Sequence, residues 1–198
     1  MNPSSAWSIK GITYSALFGA LLVALSFVQI HLGFSPVPIS MANFAIMLAG
    51  ALLGARYGFI SIGAVVVLTA IGLPLLHGAG GIGFITGRTG GFVWAYPFMA
   101  LFIGYFASRI QGKGWTSFIL LFLVIEVGSL LLYLTGVPWL AHVAHYTTYK
   151  ALTAGCFPFL PGDAIKALVA AIVVHQVRVY YPAGLLGSSN RPVAKLQS

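Results

Sequence analysis

The sequence predicts an all-α integral membrane bundle of six transmembrane helices, and three observations carry that prediction. The 198-residue chain is 59% hydrophobic and 6% charged, with a mean hydropathy of +0.97, whereas a soluble domain carries about 25% charged residues. Its apolar residues fall into six runs, most of them near the ~20 residues that cross a bilayer. Its basic residues cluster in the hinges between those runs. The length suits one bundle and leaves no room for a soluble catalytic domain.

The first span is expected from Ile9 to Ile30; its stretch from Ile12 is longer than the apolar core of a cleavable signal peptide, so it should remain as a helix. Pro36 and Pro38 separate it from the second, Ile39 to Leu53, which is short enough to imply tilt, re-entry or burial behind its neighbours. A tight turn at Gly54 to Arg56 leads into the third, Tyr57 to Leu73, which Pro74 ends because proline has no amide to donate. A glycine-rich connection then leads to the fourth span, Gly91 to Ser108, and the fifth, Trp115 to Leu134. A long connection from Thr135 to Gly162 precedes the sixth, Ala164 to Tyr181. Residues 1–182 are thus expected to form one domain, and 183–198 a disordered cytoplasmic tail rich in Gly, Ser, Asn and Pro. No internal repeat stands out.

Orientation follows from the basic hinges. Lys10, Arg56, Arg109, Lys113, Arg178, Arg191 and Lys195 fall on one side, against Arg88 and Lys150 on the other. Positive charge accumulates on the cytoplasmic face, so both termini are expected there. The formal charge of +8 is therefore a topology signal. It is not a nucleic-acid footprint, because no single polar face collects it. Trp7, Trp115, Trp139, Tyr146, Tyr149, Tyr180 and Tyr181 lie near predicted span ends and fit an interfacial aromatic belt. Cys156 is alone, which excludes a disulfide within the chain.

Only two acids occur, Glu126 and Asp163, both inside or at the edge of apolar runs. An ionisable group at membrane depth costs roughly 2.5–3.5 kcal/mol on insertion scales, so it usually serves a substrate or an ion. Lys166 follows Asp163 by three positions, which puts both on one face of a helix. Two readings stand: Asp163 caps the helix after Pro161-Gly162, with Lys166 pairing to it, or the two present an acceptor and donors to a ligand arriving from outside. Arg88, in a loop that includes Gly87 and Gly90, suits two-point recognition of a carboxylate, or is a solvated loop charge. Gly78 to Gly83 fits G-x-G-x-x-G but follows a transmembrane helix, so it reads as a compact lid and not a dinucleotide site. His142 and His145 have no nearby acid or thiol to complete a metal set. Ala16, Ala20 and Ala24 repeat at four-residue spacing and mark a close-packing surface, either inside the bundle or toward a partner. No phosphate-binding loop is present, so ATP-driven transport requires a separate motor.

Several ordered motifs give the chain a resemblance to the BioY family, the biotin-specific substrate-binding (S) components of energy-coupling factor (ECF) transporters. They are Pro36-Val37-Pro38-Ile39-Ser40, Leu48 to Gly54, Ile71-Gly72-Leu73-Pro74, Gly80-Gly81, Gly87 to Gly91, Gly136-Val137-Pro138 and Phe159 to Lys166. The resemblance implies the S-component fold, a vitamin pocket on the outer side, no cofactor and a place in a bacterial or archaeal cell membrane. It implies that Asp163 and Lys166 engage the ureido ring of biotin, and that Ala16, Ala20 and Ala24 dock on a transmembrane coupling subunit driven by two ATP-binding cassette ATPases. Arg88, Phe92, Ala42 and Asn43 depart from the residues usual in the family. The ligand carboxylate is therefore expected to fall to Arg88, with Asn43 as a polar neighbour. The alternative functions are a proton-coupled solute carrier using Glu126 and Asp163, and a membrane-embedded hydrolase using His142, His145 and Glu126, whose spacing fits no known catalytic set.

Overall fold

The computed structural model describes residues 8–112 and 114–180. Its helices are α1 (Ile9–Ser26), α2 (Ala42–Ala70), α3 (Ile82–Ile85), α4 (Gly90–Ala107), α5 (Trp115–Ala144), α6 (Thr148–Gly155) and α7 (Leu160–Tyr180), with two short strands, β1 (Gln29–Ile30) and β2 (Ile39–Ser40). Five of them, α1, α2, α4, α5 and α7, are long and apolar enough to cross a membrane. The expected tail at 183–198, together with Trp7, Lys113, Tyr181, Arg191 and Lys195, lies outside the described residues.

Helix α2 contains the second and third predicted spans. Gly54 interrupts it at φ 80° and ψ 177°, a conformation open in practice only to glycine. The two limbs fold back on each other so closely that a Cβ on Gly58 would stand 3.2 Å from the Gly50 Cα. With this hairpin the bundle has the six long helical segments expected. Helix α4 crosses the bend, and a side chain on Gly104 would run into the backbone of Gly54 and Ala55.

One face of α1, made by Gly11, Ser15, Gly19, Leu22 and Ser26, is buried. It lies against the second limb of α2, where Ser61 Oγ donates to the Ser15 carbonyl at 2.6 Å and the Tyr57 ring fills the space over Gly11. Small residues let these backbones approach, and hydroxyls bond across the seam. Tyr57 also accepts a hydrogen bond from the Ser8 amide at 2.9 Å, just before the helix begins.

At the opposite end of α7 from Asp163, Arg178 donates to the carbonyls of Ala51 (3.0 Å), Ala107 (2.9 Å) and Ile110 (3.4 Å). These lie near the C-terminal ends of the first limb of α2 and of α4, where orphan carbonyls and the helix dipole favour a cation.

Several boundaries differ from the sequence expectation: α1 ends at Ser26 and not Ile30, α2 runs from Ala42 to Ala70 inside the expected Ile39 to Leu73, and two further differences bear on the site. Helix α5 runs on to Ala144 through Pro138 instead of ending near Leu134. Its extension is held against the start of α4: Thr135 Oγ1 donates to the Gly91 carbonyl at 2.8 Å, Trp139 Nε1 donates to the Gly87 carbonyl at 2.9 Å, and Gly136 makes room for the Phe92 ring. The expected long connection is thereby reduced to short turns around α6. Helix α7 starts at Leu160, so Pro161 falls in its first turn, where its missing amide costs nothing.

The outer connections are fastened in turn. Strands β1 and β2 pair Gln29 with Ser40 and Ile30 with Ile39, closing a strap over residues 31–38. Ser35 Oγ in that strap donates to the Ala154 carbonyl of α6. After α2, Leu76 is fully buried, and His77 bonds to Ser26 through its amide (3.1 Å) and through Nδ1 to the carbonyl (2.7 Å). Burial holds the His77 imidazole below the usual histidine value, with the Ser26 bond opposing and His31 reinforcing the shift.

Candidate functional site

Asp163 stands in the first turn of α7, 1% exposed, with its amide bonded to the Phe159 carbonyl at 2.9 Å. It is inside the helix and not its N-cap. The positive end of the helix dipole still favours the carboxylate there. Lys166, one turn further in and 9% exposed, donates from Nζ to Asp163 Oδ1 at 3.0 Å and to the Ser40 carbonyl at 2.8 Å. The Tyr133 hydroxyl of α5 donates to Asp163 Oδ2 at 2.5 Å. Three elements, β2, α5 and α7, therefore hold one ion pair.

The pair lines a small cavity of about 40 Å³, room for a few water molecules. Val37 and Pro38 of the strap, Asn43 of α2, and Phe92 and Tyr96 of α4 form other parts of its wall. An ammonium has three donors, and Lys166 spends two on the protein. Each oxygen of Asp163 keeps a lone pair beyond the one in use. The site therefore offers a donor next to acceptors, in a cavity whose other walls include Val37, Pro38, Phe92, Leu132 and Phe159. Such a pair contributes little stability, because desolvation offsets the attraction; what it presents to the cavity is a fixed polar pattern.

The profile of the BioY family matches residues 1–183. The chain belongs to the BioY family. It is 40% identical over 181 residues to the biotin transporter BioY of Rhizobium etli, covering 88% of this chain and 96% of the relative. Against the biotin transporter BioY of Lactococcus lactis subsp. cremoris the identity is 37% over 175 residues, with 86% and 91% covered. A solved structure of the S-component for biotin from an ECF-type ABC transporter superposes with a TM-score of 0.80 at 34% identity, over 90% of this chain and 95% of that one.

Of the residues singled out in this BioY chain, Asp163, Lys166 and Asn43 come together on the cavity wall. Arg88 does not. It is exposed in the turn between α3 and α4, has no hydrogen-bond partner among the described residues, and is not part of the lining. The glycine-rich stretch from Gly78 to Gly91 likewise contributes no lining residue; it curls through α3 beside the bundle. Ala16, Ala20 and Ala24 are all exposed, on the face of α1 turned away from α2. His142 and His145 are exposed, and no cluster of three His, Cys, Asp or Glu occurs among the described residues. Glu126 lies two helical turns along α5 from Tyr133, its Oε2 buried without a hydrogen-bond partner among the described residues.

Sequence reasoning missed Tyr133, Tyr96 and the Ser40 carbonyl. For Tyr96 the available signal was position, inside the predicted fourth span, where a phenol needs a polar partner; Tyr133 carried none, because the fifth span was expected to end at Leu134 and only the extension of α5 to Ala144 puts it well inside a helix. The Ser40 carbonyl had no sequence signal, since a backbone acceptor carries no residue identity.

Proposed function

We propose that this chain captures biotin at the outer face of a bacterial or archaeal cell membrane and acts as the S component of an ECF importer. The observation that carries the reading is the buried Asp163–Lys166 pair opening onto a cleft, in a chain whose relatives are named biotin transporters. In this reading Asp163 accepts from the ureido ring and Lys166 donates to its carbonyl. The apolar walls, Phe92 and Leu132 among them, take the fused ring and the chain. Asn43 meets the polar end of the ligand. Arg88 reaches the ligand carboxylate only if its turn moves inward, so it acts at the mouth and not in the cavity. Because the cavity is small, ligand entry requires the strap over residues 31–38 to lift from α6, breaking the Ser35 bond.

The chain supplies recognition and no catalysis. The exposed stripe of Ala16, Ala20 and Ala24 docks on a transmembrane coupling subunit, and two ATP-binding cassette ATPases provide the energy. The excess of basic residues beside Lys10, Arg56, Arg109 and Arg178 supports cytoplasmic termini.

The test is a titration of the purified protein with biotin, desthiobiotin and lipoate, followed by uptake into proteoliposomes with and without the coupling subunit and ATPases. Biotin and desthiobiotin share the ureido ring and should bind, lipoate should not, and uptake should require ATP and the partners. The unpartnered Glu126 oxygen favours one rival, a proton-coupled carrier. Biotin uptake driven by a pH gradient without partners would replace the proposed function with that one.

A further inference from the structure

Tyr96 lies on α4, one helical turn deeper than Phe92, and both face the cavity that Asp163 and Lys166 line. The residue is 5% exposed, yet its hydroxyl has no hydrogen-bond partner among the described residues. Buried phenols normally find a partner, and one left without it is costly. The other polar groups of the wall are largely committed: Tyr133 donates to Asp163, the Ser40 carbonyl accepts from Lys166, and Ser40 Oγ accepts from the Ala42 amide at 3.0 Å. Asn43 is also uncommitted, but it is half-buried, so water can serve it. Tyr96, by contrast, opens only onto the cavity itself.

The geometry of the ion pair gives that hydroxyl a task, on the reading that the ligand is biotin. Lys166 Nζ and Asp163 Oδ1 stand 3.0 Å apart, a donor directly beside an acceptor. That pattern matches one edge of a cyclic urea, its carbonyl and one adjacent N–H. The second N–H lies across the carbonyl and points elsewhere. If Asp163 took both N–H groups at once, the carbonyl would turn away from Lys166, leaving the ammonium's last donor without an acceptor. The pair therefore reads one edge, an edge that a lactam or a carbamate also offers.

We propose that the Tyr96 hydroxyl accepts the second ureido N–H, which makes Tyr96 a specificity-determining residue that separates a urea from a lactam or carbamate. Sites built to bond a donor discriminate against ligands that lack it, because the site's own polar group is then left unpaired.

The experiment uses the full-length purified protein, calorimetric titration and three ligands: biotin and the two cyclic carbamates in which one or the other ureido N–H is replaced by ring oxygen. Tyr96→Phe should bind biotin about tenfold more weakly, the loss of one buried hydrogen bond. One carbamate, lacking the N–H that faces Tyr96, should bind the unsubstituted protein and Tyr96→Phe equally. The other should show the tenfold difference. Unchanged biotin affinity in Tyr96→Phe, or equal weakening for all three ligands, would overturn the assignment, the second outcome marking a packing role. Should Tyr96→Phe fail to fold, the unsubstituted protein still decides: full affinity for either carbamate means that no group meets that N–H. Failure of the unsubstituted protein to bind biotin at all would instead remove the biotin reading, and this assignment with it.

Discussion

Lys166→Ala separates the structural role of the ion pair from its proposed role in recognition. In the folded protein Lys166 makes two charge-assisted bonds, to Asp163 Oδ1 and to the Ser40 carbonyl, and has one donor left for the ligand. A hydrogen bond from a charged donor contributes about 1.5–3 kcal/mol, so losing the ligand contact should weaken biotin binding by about 10- to 150-fold. The same substitution strands Asp163, 1% exposed, with Tyr133 as its remaining side-chain partner. Breaking a buried pair from one side costs about 3–5 kcal/mol, so thermal unfolding in detergent should occur markedly earlier. The double substitution Asp163→Asn/Lys166→Met removes both charges, leaves an amide oxygen for Tyr133 and fills the space of the lysine stem. Stability should then recover toward that of the unsubstituted protein, since replacing both charges is near neutral, while biotin affinity stays low. A stably folded double variant that binds biotin within about twofold of the original would refute the argument, because the pair would then be a packing device with no part in recognition.

Three other perturbations report on other parts of the molecule. Arg178→Leu removes the donor from three carbonyls near helix ends and should cost about 3 kcal/mol of stability, read as a lower unfolding temperature. Biotin affinity should hold, because Arg178 lies about 22 Å along α7 from Asp163. His77, in the outer loop, is held neutral by burial, so the unfolded chain binds more protons below the usual histidine value of about 6.5. Its contribution to stability is full above that pH and is lost as pH falls below it. The unfolding temperature should drop on acidification, and less so in His77→Asn, which tolerates the left-handed backbone (φ 56°) at that position. Ala20→Phe, on the exposed face of α1, should abolish capture by the coupling subunit in a pull-down yet leave biotin titration unchanged. Lost biotin binding would instead place the alanine stripe in the packing of the fold.

The helices were legible wherever a local rule governs. Apolar runs located the spans, and Gly54 marked the break, since only glycine adopts its backbone angles at low cost. The rule failed where tertiary contacts outweighed it. The fifth span was expected to end at Leu134, but the Thr135 and Trp139 bonds to the carbonyls of Gly91 and Gly87 hold α5 helical on through Pro138. Pro161 reads as lying outside α7, whereas a first-turn proline is compatible with the helix it opens. On α1 the alanine stripe and a second small-residue face, Gly11, Ser15 and Gly19, share one sequence pattern. Composition could not decide which was internal; the hydroxyl bonds of Ser15 and Ser61 do.

At the site, sequence located the charges and missed what aims them. Asp163 and Lys166 stood out because charge is scarce in this chain, and their spacing placed them on one helix face. Their orientation depends on Tyr133 and on the Ser40 carbonyl, which lie 30 residues before Asp163 and 126 before Lys166. No local pattern carries information over such separations. The same reasoning explains Arg88, whose charge and glycine neighbours suggest a ligand contact while its side chain lies outside the cavity lining. A charged residue on an exposed turn fits many positions, but a charge buried in a span can persist only where other elements supply partners. Burial with partners is therefore the stronger indicator of a built site, and that is the ground for proposing the biotin site where α4, α5 and α7 meet the strap and not in the glycine-rich connection.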